Sequence, residues 1–442
     1  MRKLNSMKRL SKIFISLLLV VVMILSPGVP LSVFAEGDEA ATGNEIYAIL
    51  YDIREKDTSD HWNGYELVFQ RGNQHDPDVT VTDKNNGIYR RVYVKSYSYD
   101  EFGTSILDVT DNNLIRNRTP WLSDTPNALG IAPTKSASER TIASLSSKIS
   151  IKDKIKPESI AGWFCNCTSV SEIKNLENID TSICTDMAFA FYEMYNIQKL
   201  DLHTFDTSNV ERIDYFIYSS NKLEEVDVSG FDLRKVKSLT DFIHGGWKSS
   251  QGEWNMGKLS KVNLSGVDIS EIRKIDRLVT YTKDLEELDI SDLNPQSAYV
   301  LNNLFLNNRG LKKLKFGTFE VGKKLHPSGL APGGYMYDIN HDDYLSGSST
   351  NDITTITFNG MFEGCIALEE VDFENFSFDF DIDTQIEYKD KKDSDKLKTT
   401  YLGAQFYRMF ANCENLTSIK HIGNLFNINT TVWSTYVFRK HS

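Results

Sequence analysis

Ile197-Gln198-Lys199-Leu200-Asp201-Leu202-His203-Thr204-Phe205-Asp206-Thr207-Ser208-Asn209-Val210, closed by Ile213, is the stretch on which the fold turns. Its apolar set returns 26 residues later as Leu223, Val226, Val228, Phe231, Val236 and Leu239. A fixed period with apolar residues at fixed offsets means one supersecondary unit per repeat, each burying its apolar face only against its neighbours.

Further copies follow from that frame. An earlier one carries Phe164, Cys167, Val170, Ile173, Leu176 and Ile179 before Asp180-Thr181-Ser182. Later ones carry Leu259, Val262, Leu264 and Val267 after an extra ten residues, then Leu285, Leu288, Ile290 and Leu293, then Leu311, Leu314, Phe316 and Phe319. Two more hold Met361-Phe362, Cys365, Leu368, Val371, Phe373 and Phe376, and Met409-Phe410, Cys413, Leu416 and Ile419. The piece Leu200-Asp201-Leu202 alternates with period two and reads as a strand. The piece from Asp186-Met187 to Phe191 spaces its apolar residues by three or four and reads as a short helix or 3-10 turn. The expected fold class is an α/β repeat solenoid of about eight coils over 157–425.

The outward strand positions test that stacking. Just before the first inward residue, the column runs Glu172, Lys199, Glu225, Lys261, Glu287, Lys313, Glu370, alternating in sign at every step. Parallel neighbours ~4.8 Å apart would make this a ladder of opposite charges. The next outward column, Asp201, Asp227, Asn263, Asp289, Lys315, Asp372, is mainly acidic. It reads as a solvated face, with a floor for basic groups as the rival reading.

Met361-Phe362-Glu363-Gly364-Cys365, Leu200-Asp201-Leu202 and Phe205-Asp206-Thr207-Ser208-Asn209-Val210 resemble the BspA-type leucine-rich repeat surface proteins of bacteria. The resemblance covers roughly Pro157 to Leu425, and Asp292-Leu293-Asn294-Pro295 departs from it by lacking the Asp-Thr-Ser string. It implies leucine-rich repeat coils and adhesion to host matrix or surface proteins, or to other cells.

The first 35 residues read as a signal peptide. Arg2, Lys3, Lys8, Arg9 and Lys12 precede the apolar run Ile13 to Leu25, and Val33-Phe34-Ala35 resembles a small-residue cleavage site. Their removal takes the formal net charge from −12 to −17, so neither nucleic acid nor an anionic membrane is an expected partner. The expected location is secreted or on the bacterial cell surface, with no membrane insertion after cleavage. Residues 36–156 show no such repeat; Ile46 to Asp52, Tyr65 to Gln70 and Tyr89 to Tyr97 read as strands of a β-rich N-terminal cap, and Asn112 to Ser138 as loop. Residues 426–442 begin a further repeat, and an apolar last coil is expected to be exposed near Val432 to Phe438, with assembly or truncation of the chain as its explanation.

The five cysteines, Cys165, Cys167, Cys184, Cys365 and Cys413, show no Cys-x-x-Cys pair and read as buried thiols, with a Cys365–Cys413 disulfide as the alternative. Insertions carry the candidate binding residues: Trp247 and Trp254 in 245–254, and Tyr335, Tyr337 and Tyr344 in 322–352. The insertion 378–400 holds Asp379, Asp381 and Asp383 at the first three EF-hand spacings, but Thr384 replaces the turn glycine and Asp390 the bidentate Glu. Calcium is therefore the weaker reading there, and no cofactor or resident metal is expected.

Motifs for catalysis fail in turn: there is no His-Glu-x-x-His pair and no Gly-x-Ser-x-Gly elbow. A polysaccharide-degrading enzyme of parallel β-helix type would place an acid-and-base cluster over neighbouring coils. The sequence offers an extended charge ladder instead. The expectation is an extracellular binding protein, not an enzyme, with a protein or glycan ligand. Asp201, Asp227, Asp289, Asp372, Trp247, Trp254, Tyr335, Tyr337 and Tyr344 are its candidate contacts.

Overall fold

Eight short strands open the chain, from β1 (Ala41–Thr42) and β2 (Ile46–Asp52) through β3 (Tyr65–Arg71), β4 (Val79–Asp83) and β5 (Gly87–Ser98) to β6 (Ser146–Ile151), β7 (Ile155–Lys156) and β8 (Ile173–Lys174). The computed structural model describes residues 40–53, 64–83, 87–103, 119–126, 128–129, 140–248, 254–323, 355–378, 385–390, 393–401, 403–425 and 432–433. Six strands form one sheet in the order β4-β5-β2-β3-β6-β8. Its last strand belongs to the first repeat, with Ile149 opposite Ile173 in parallel. Alternation along β2 and β3 sends Ala48, Leu50, Leu67 and Phe69 into the main core, and Ile49, Tyr51 and Val68 into a small cluster on the other face.

Aromatic packing joins this sheet to the repeats. Phe69 stacks on Trp163 at 4.8 Å, with the edge of Trp121 5.7 Å from Phe69. Trp121 is fully buried and its Nε1 donates to the Trp163 carbonyl at 2.9 Å. The stretch Asn112 to Ser138, expected to be loop, thus contains a buried helical turn, Pro120–Ser123. Proline at N1 presets that turn, and the apolar pair Trp121-Leu122 drives its burial.

Successive copies pair strand on strand in parallel along three ladders and, at Phe319–Val321 with Phe376–Phe378, along a fourth. In the first, Lys199–Asp201, Glu225–Asp227 and Lys261–Asn263 pair in order, Glu287–Ile290 pairs with Lys313–Phe316, and Glu370–Asp372 with Ser418–Lys420. The second joins Phe191–Tyr192, Ile217–Tyr218, Ile243–His244 and Val279–Thr280. The third joins Ser238–Thr240, Lys274–Asp276, Val300–Asn302, Thr355–Thr357, Gly403–Gln405 and Val432–Trp433. The rest of 426–442 lies outside the described residues. The sequence offset between cross-copy partners is 26 residues at Glu287 and Lys313, and 36 across the first insertion at Asp241 and Arg277. It is 57 and 48 across the two long insertions.

The Asp-Thr-Ser-Asn string has a physical cause. Asp206 accepts from the Ser208 amide at 3.0 Å, an Asx-turn, while buried Thr207 accepts from the Asp232 amide at 2.8 Å and Asn209 donates to the Ser182 carbonyl at 2.7 Å. One residue shapes the turn and two tie it to neighbouring copies.

The piece read as a short helix or 3-10 turn forms a turn and no helix. Between Asp186 and Tyr192 the chain makes an isolated parallel bridge, a turn and a short strand. Left-handed residues recur in pairs four apart, Phe189 with Glu193, Tyr215 with Ser219, Arg277 with Tyr281, Asn303 with Asn307 and Gly360 with Gly364. Such residues cannot sit inside a right-handed helix. They turn alternate amides outward, so that Phe189, Phe191 and Glu193 donate to Asp214, Phe216 and Tyr218 of the next copy, while Ala190 and Tyr192 bond three residues back. A spacing of three to four fits this alternation as well as it fits a helix.

Candidate functional site

The left-handed positions also line up across copies. One column reads Phe189, Tyr215, Asp241, Arg277, Asn303. Phe189 and Tyr215 stack at 4.9 Å, with their planes 10° apart. Three residues further along their copies, Tyr192 stacks on Tyr218 at 4.9 Å and Tyr218 on His244 at 4.3 Å, and His244 stacks on Tyr281, four residues beyond Arg277, at 4.5 Å. Each such pair contributes roughly 0.5–1.5 kcal/mol beyond burial.

Asp241 interrupts the first column. It is 3% exposed, and its Oδ1 accepts from Arg277 Nε at 2.7 Å and lies 3.1 Å from His244 Nδ1. Thr280 Oγ1 lies 3.1 Å from the same ring nitrogen. Arg277 Nη1 reaches Asp276 at 2.7 Å, and Asn303 Nδ2 donates to Asp276 at 3.0 Å. One guanidinium thus bridges two carboxylates of adjacent copies. Burial lowers the His244 pKa against the pull of Asp241, so the imidazole is held neutral. Burial raises the Asp276 carboxyl against the influence of Arg277. Asp214, which accepts from the Thr240 amide at 2.9 Å, is pushed up to about 6 by burial. Desolvation likewise raises Tyr192, Tyr215 and Tyr218.

A cleft of about 340 Å³ opens at this interruption, lined by Tyr192, Tyr215, Tyr218, Asp241, His244, Arg277, Tyr281 and Leu306. Two rings of the column are followed by a carboxylate too short to continue the stack, and the missing ring leaves the space. The ten-residue insertion roots beside it as a hairpin, with Trp247–Lys248 antiparallel to Trp254–Asn255. Its base needs glycine: a Cβ on Gly257 would stand 2.1 Å from the Gly245 carbonyl. Gly245 and Gly257 donate to the Thr280 and Tyr281 carbonyls at 3.0 and 2.9 Å, so the hairpin leaves the copies next to His244 and Tyr281. Trp247 is half-buried there; the Trp254 side chain lies outside what is described.

The acidic column, read as a solvated face with a binding floor as the rival, closes turns at the strand ends. Asp227, Asp289 and Asp372 each accept from the amide two residues on, at 2.9 Å, closing Asx-turns at the strand ends. Each also has a partner from the next copy: Asn263 on Asp227 at 2.9 Å, Lys315 on Asp289 at 2.7 Å and His421 on Asp372 at 2.7 Å. Asp201 is paired with His203. The alternating column forms ion pairs at Lys199–Glu225 and Glu287–Lys313, 3.5 and 2.7 Å. Tyr335, Tyr337, Tyr344, Asp379, Asp381 and Asp383 lie outside the described residues.

All five cysteines are free thiols. Cys365 and Cys413 donate to the Phe305 and Phe362 carbonyls of the preceding copies at 3.1 and 3.0 Å. Burial pushes the Cys413 thiol up to about 12. Among the described residues no group of three His, Cys, Asp or Glu is placed to hold a metal ion, and no helix is long and apolar enough to cross a membrane.

Residues 158–264 match the family model DUF285, described as a Mycoplasma protein of unknown function. Neither a curated protein nor a solved structure matches the chain. The DUF285 match takes in Tyr192, Tyr215, Tyr218, Asp241 and His244 and stops short of Arg277 and Tyr281. The cleft is therefore completed by a copy beyond the matched segment.

Sequence reasoning passed over these cleft residues. Their signal was an aromatic or imidazole ring at one offset, Tyr192, Tyr218 and His244, recurring at the 26-residue period. The partner Arg277 is displaced by the insertion, which hides it from any fixed-period reading.

Proposed function

We propose that this chain is a secreted or cell-surface binding protein, built over 157–425 as a BspA-type leucine-rich repeat solenoid behind a β-rich cap. It works as an adhesin without catalysis, holding an extracellular protein or glycan at the aromatic cleft and the hairpin that roots beside it. The observation that carries the reading is the interrupted column: four tyrosines and His244 surround a 340 Å³ space whose only charged lining groups, Asp241 and Arg277, bond each other. Concave sites with aromatic walls and a few fixed polar groups are the usual form of a ligand pocket. The in-register parallel ladders support the solenoid, and the Phe69–Trp163 and Trp121 packing supports the cap. The Asp241–His244 pair does not favour the enzyme reading, because both residues are nearly fully buried and hold neighbouring copies together.

The test is binding of the purified protein to an array of matrix proteins and glycans, with and without calcium. Saturable binding that is lost in Tyr218→Ala or Trp247→Ala, while Asp227→Ala and Asp289→Ala leave it intact, supports the cleft as the contact. Loss only in the aspartate variants would move the contact to the first ladder. Slow release of product from a bound glycan would favour an enzyme; silence on every ligand would leave a passive surface scaffold.

A further inference from the structure

The charge arrangement in the cleft narrows the ligand class, and this step rests on the binding reading above. Arg277 sits between Asp241 and Asp276 at 2.7 Å from each. An anionic ligand would have to approach two carboxylates, and a cationic one would have to compete with Arg277, which already bonds both of them. An uncharged ligand meets neither penalty. Arg277, partly exposed and held by Asp241 and Asp276, still offers N–H donors to a hydroxyl. The apolar part is flat: Tyr215 uses one face on Phe189, and the next residue of its column, Asp241, has no ring to cover the other. The volume, about 340 Å³, is at the lower end for ligand pockets and suits one or two small rings better than a folded segment.

We propose that the cleft takes an uncharged pyranose unit of a glycan, laid against Tyr215 where the stacked column is interrupted, with a hydroxyl met by Arg277, which the buried Asp241 holds in place. Trp247, on the hairpin rooted at the rim, is the platform for the adjoining sugar. The hydroxyl-rich, C–H-faced ring is the neutral chemistry that uses both the aromatic face and the Arg277 donors.

Titration calorimetry with neutral oligosaccharides of glucose, galactose and N-acetylglucosamine tests this, with a sulfated oligosaccharide and an arginine-rich peptide as charged probes. At least one neutral series should bind saturably, with an affinity that hardly changes when salt is raised about tenfold, because no charge pair forms. Tyr215→Ala should weaken it roughly three- to tenfold, the worth of one ring face, while Tyr215→Phe retains it. Because Tyr215→Ala also removes a stack on Phe189, Leu306→Lys serves as the second variant: the Leu306 carbonyl that accepts from the Tyr281 amide is untouched, and the longer charged side chain obstructs the cleft. Tighter binding of either charged probe, or neutral binding indifferent to both variants, overturns the proposal. If no neutral glycan binds while a matrix protein does, and Leu306→Lys abolishes that, the glycan inference falls and the binding reading stands. Failure of every ligand removes both.

Discussion

Asp227 and Asp241 belong to the same copy, and each reaches across the ten-residue insertion to the next one, yet the two carboxylates do different work. Asp227 is half-exposed, closes an Asx-turn on the Ser229 amide and accepts from Asn263. Asp241 is buried and meets Arg277 and His244. The first is one of a column of equivalent turns, whereas the second breaks a column of rings. A residue repeated at the period of the fold serves the fold. One that departs from its column marks the place where something else happens.

The largest test of that contrast is substitution at each site. Asp241→Ala leaves the Arg277 guanidinium without its Nε partner in a largely desolvated setting, at an expected cost of about 3 kcal/mol. Asp227→Ala loses the Ser229 and Asn263 bonds near the surface and should cost about 1 kcal/mol. Denaturant midpoints of the two variants measure the difference; equal losses would show that the buried pair is no more than another turn.

The register of the ladders was legible beforehand. Glu225 stands opposite Lys261 and Glu287 opposite Lys313, as the alternating column requires, because a side-chain period of two and a repeat of 26 leave little freedom in how strands align. The turn chemistry was legible only in outline. The left-handed residues of these turns, Phe189 and Glu193 in one copy and Tyr215 in the next, are of types that do not advertise that conformation. The cleft was legible least, since it depends on which copy lacks a ring. Pairing Asp241 with Arg277 requires knowing that the insertion buckles out as a hairpin.

A second test uses pH, and separates buried from exposed carboxylates by sign. Burial alone would raise Asp227, but bonds from Ser229 and Asn263 outweigh it and hold the carboxyl below its usual value of 3.8. Its contribution is present at neutral pH and is lost as pH falls from 3.8 through the lower folded value. Asp214 goes the other way, with the folded carboxyl near 6 because of burial. The folded state then holds a proton that the unfolded state has released, so stability declines as pH rises from 3.8 to about 6 and stays lower above it. Asp214→Asn should remove that decline, flattening the profile by on the order of 2 kcal/mol between those limits. An unchanged profile would mean that Asp214 ionises as readily in the fold as outside it.

The smallest expected effect is on the exposed charge ladder, where the comparison is sharpest. Lys313 reaches Glu287 at 2.7 Å, but both side chains are more than half exposed. Solvent screens such a pair, and holding two long side chains in place offsets part of the attraction. Glu287→Lys should therefore lower the melting temperature only slightly, by setting like charges opposite each other on neighbouring strands. The added Lys313→Glu exchange should restore part of it, since the exchanged pair then faces like charges at Lys261 and Glu370 of the column, and high salt should erase both changes. A loss that persists in high salt would mean that Glu287 contributes through packing and not through charge. Partial reversal by the double exchange would instead identify the alternating signs as a register device, one that disfavours slippage between copies because a slip by one copy would bring like charges together.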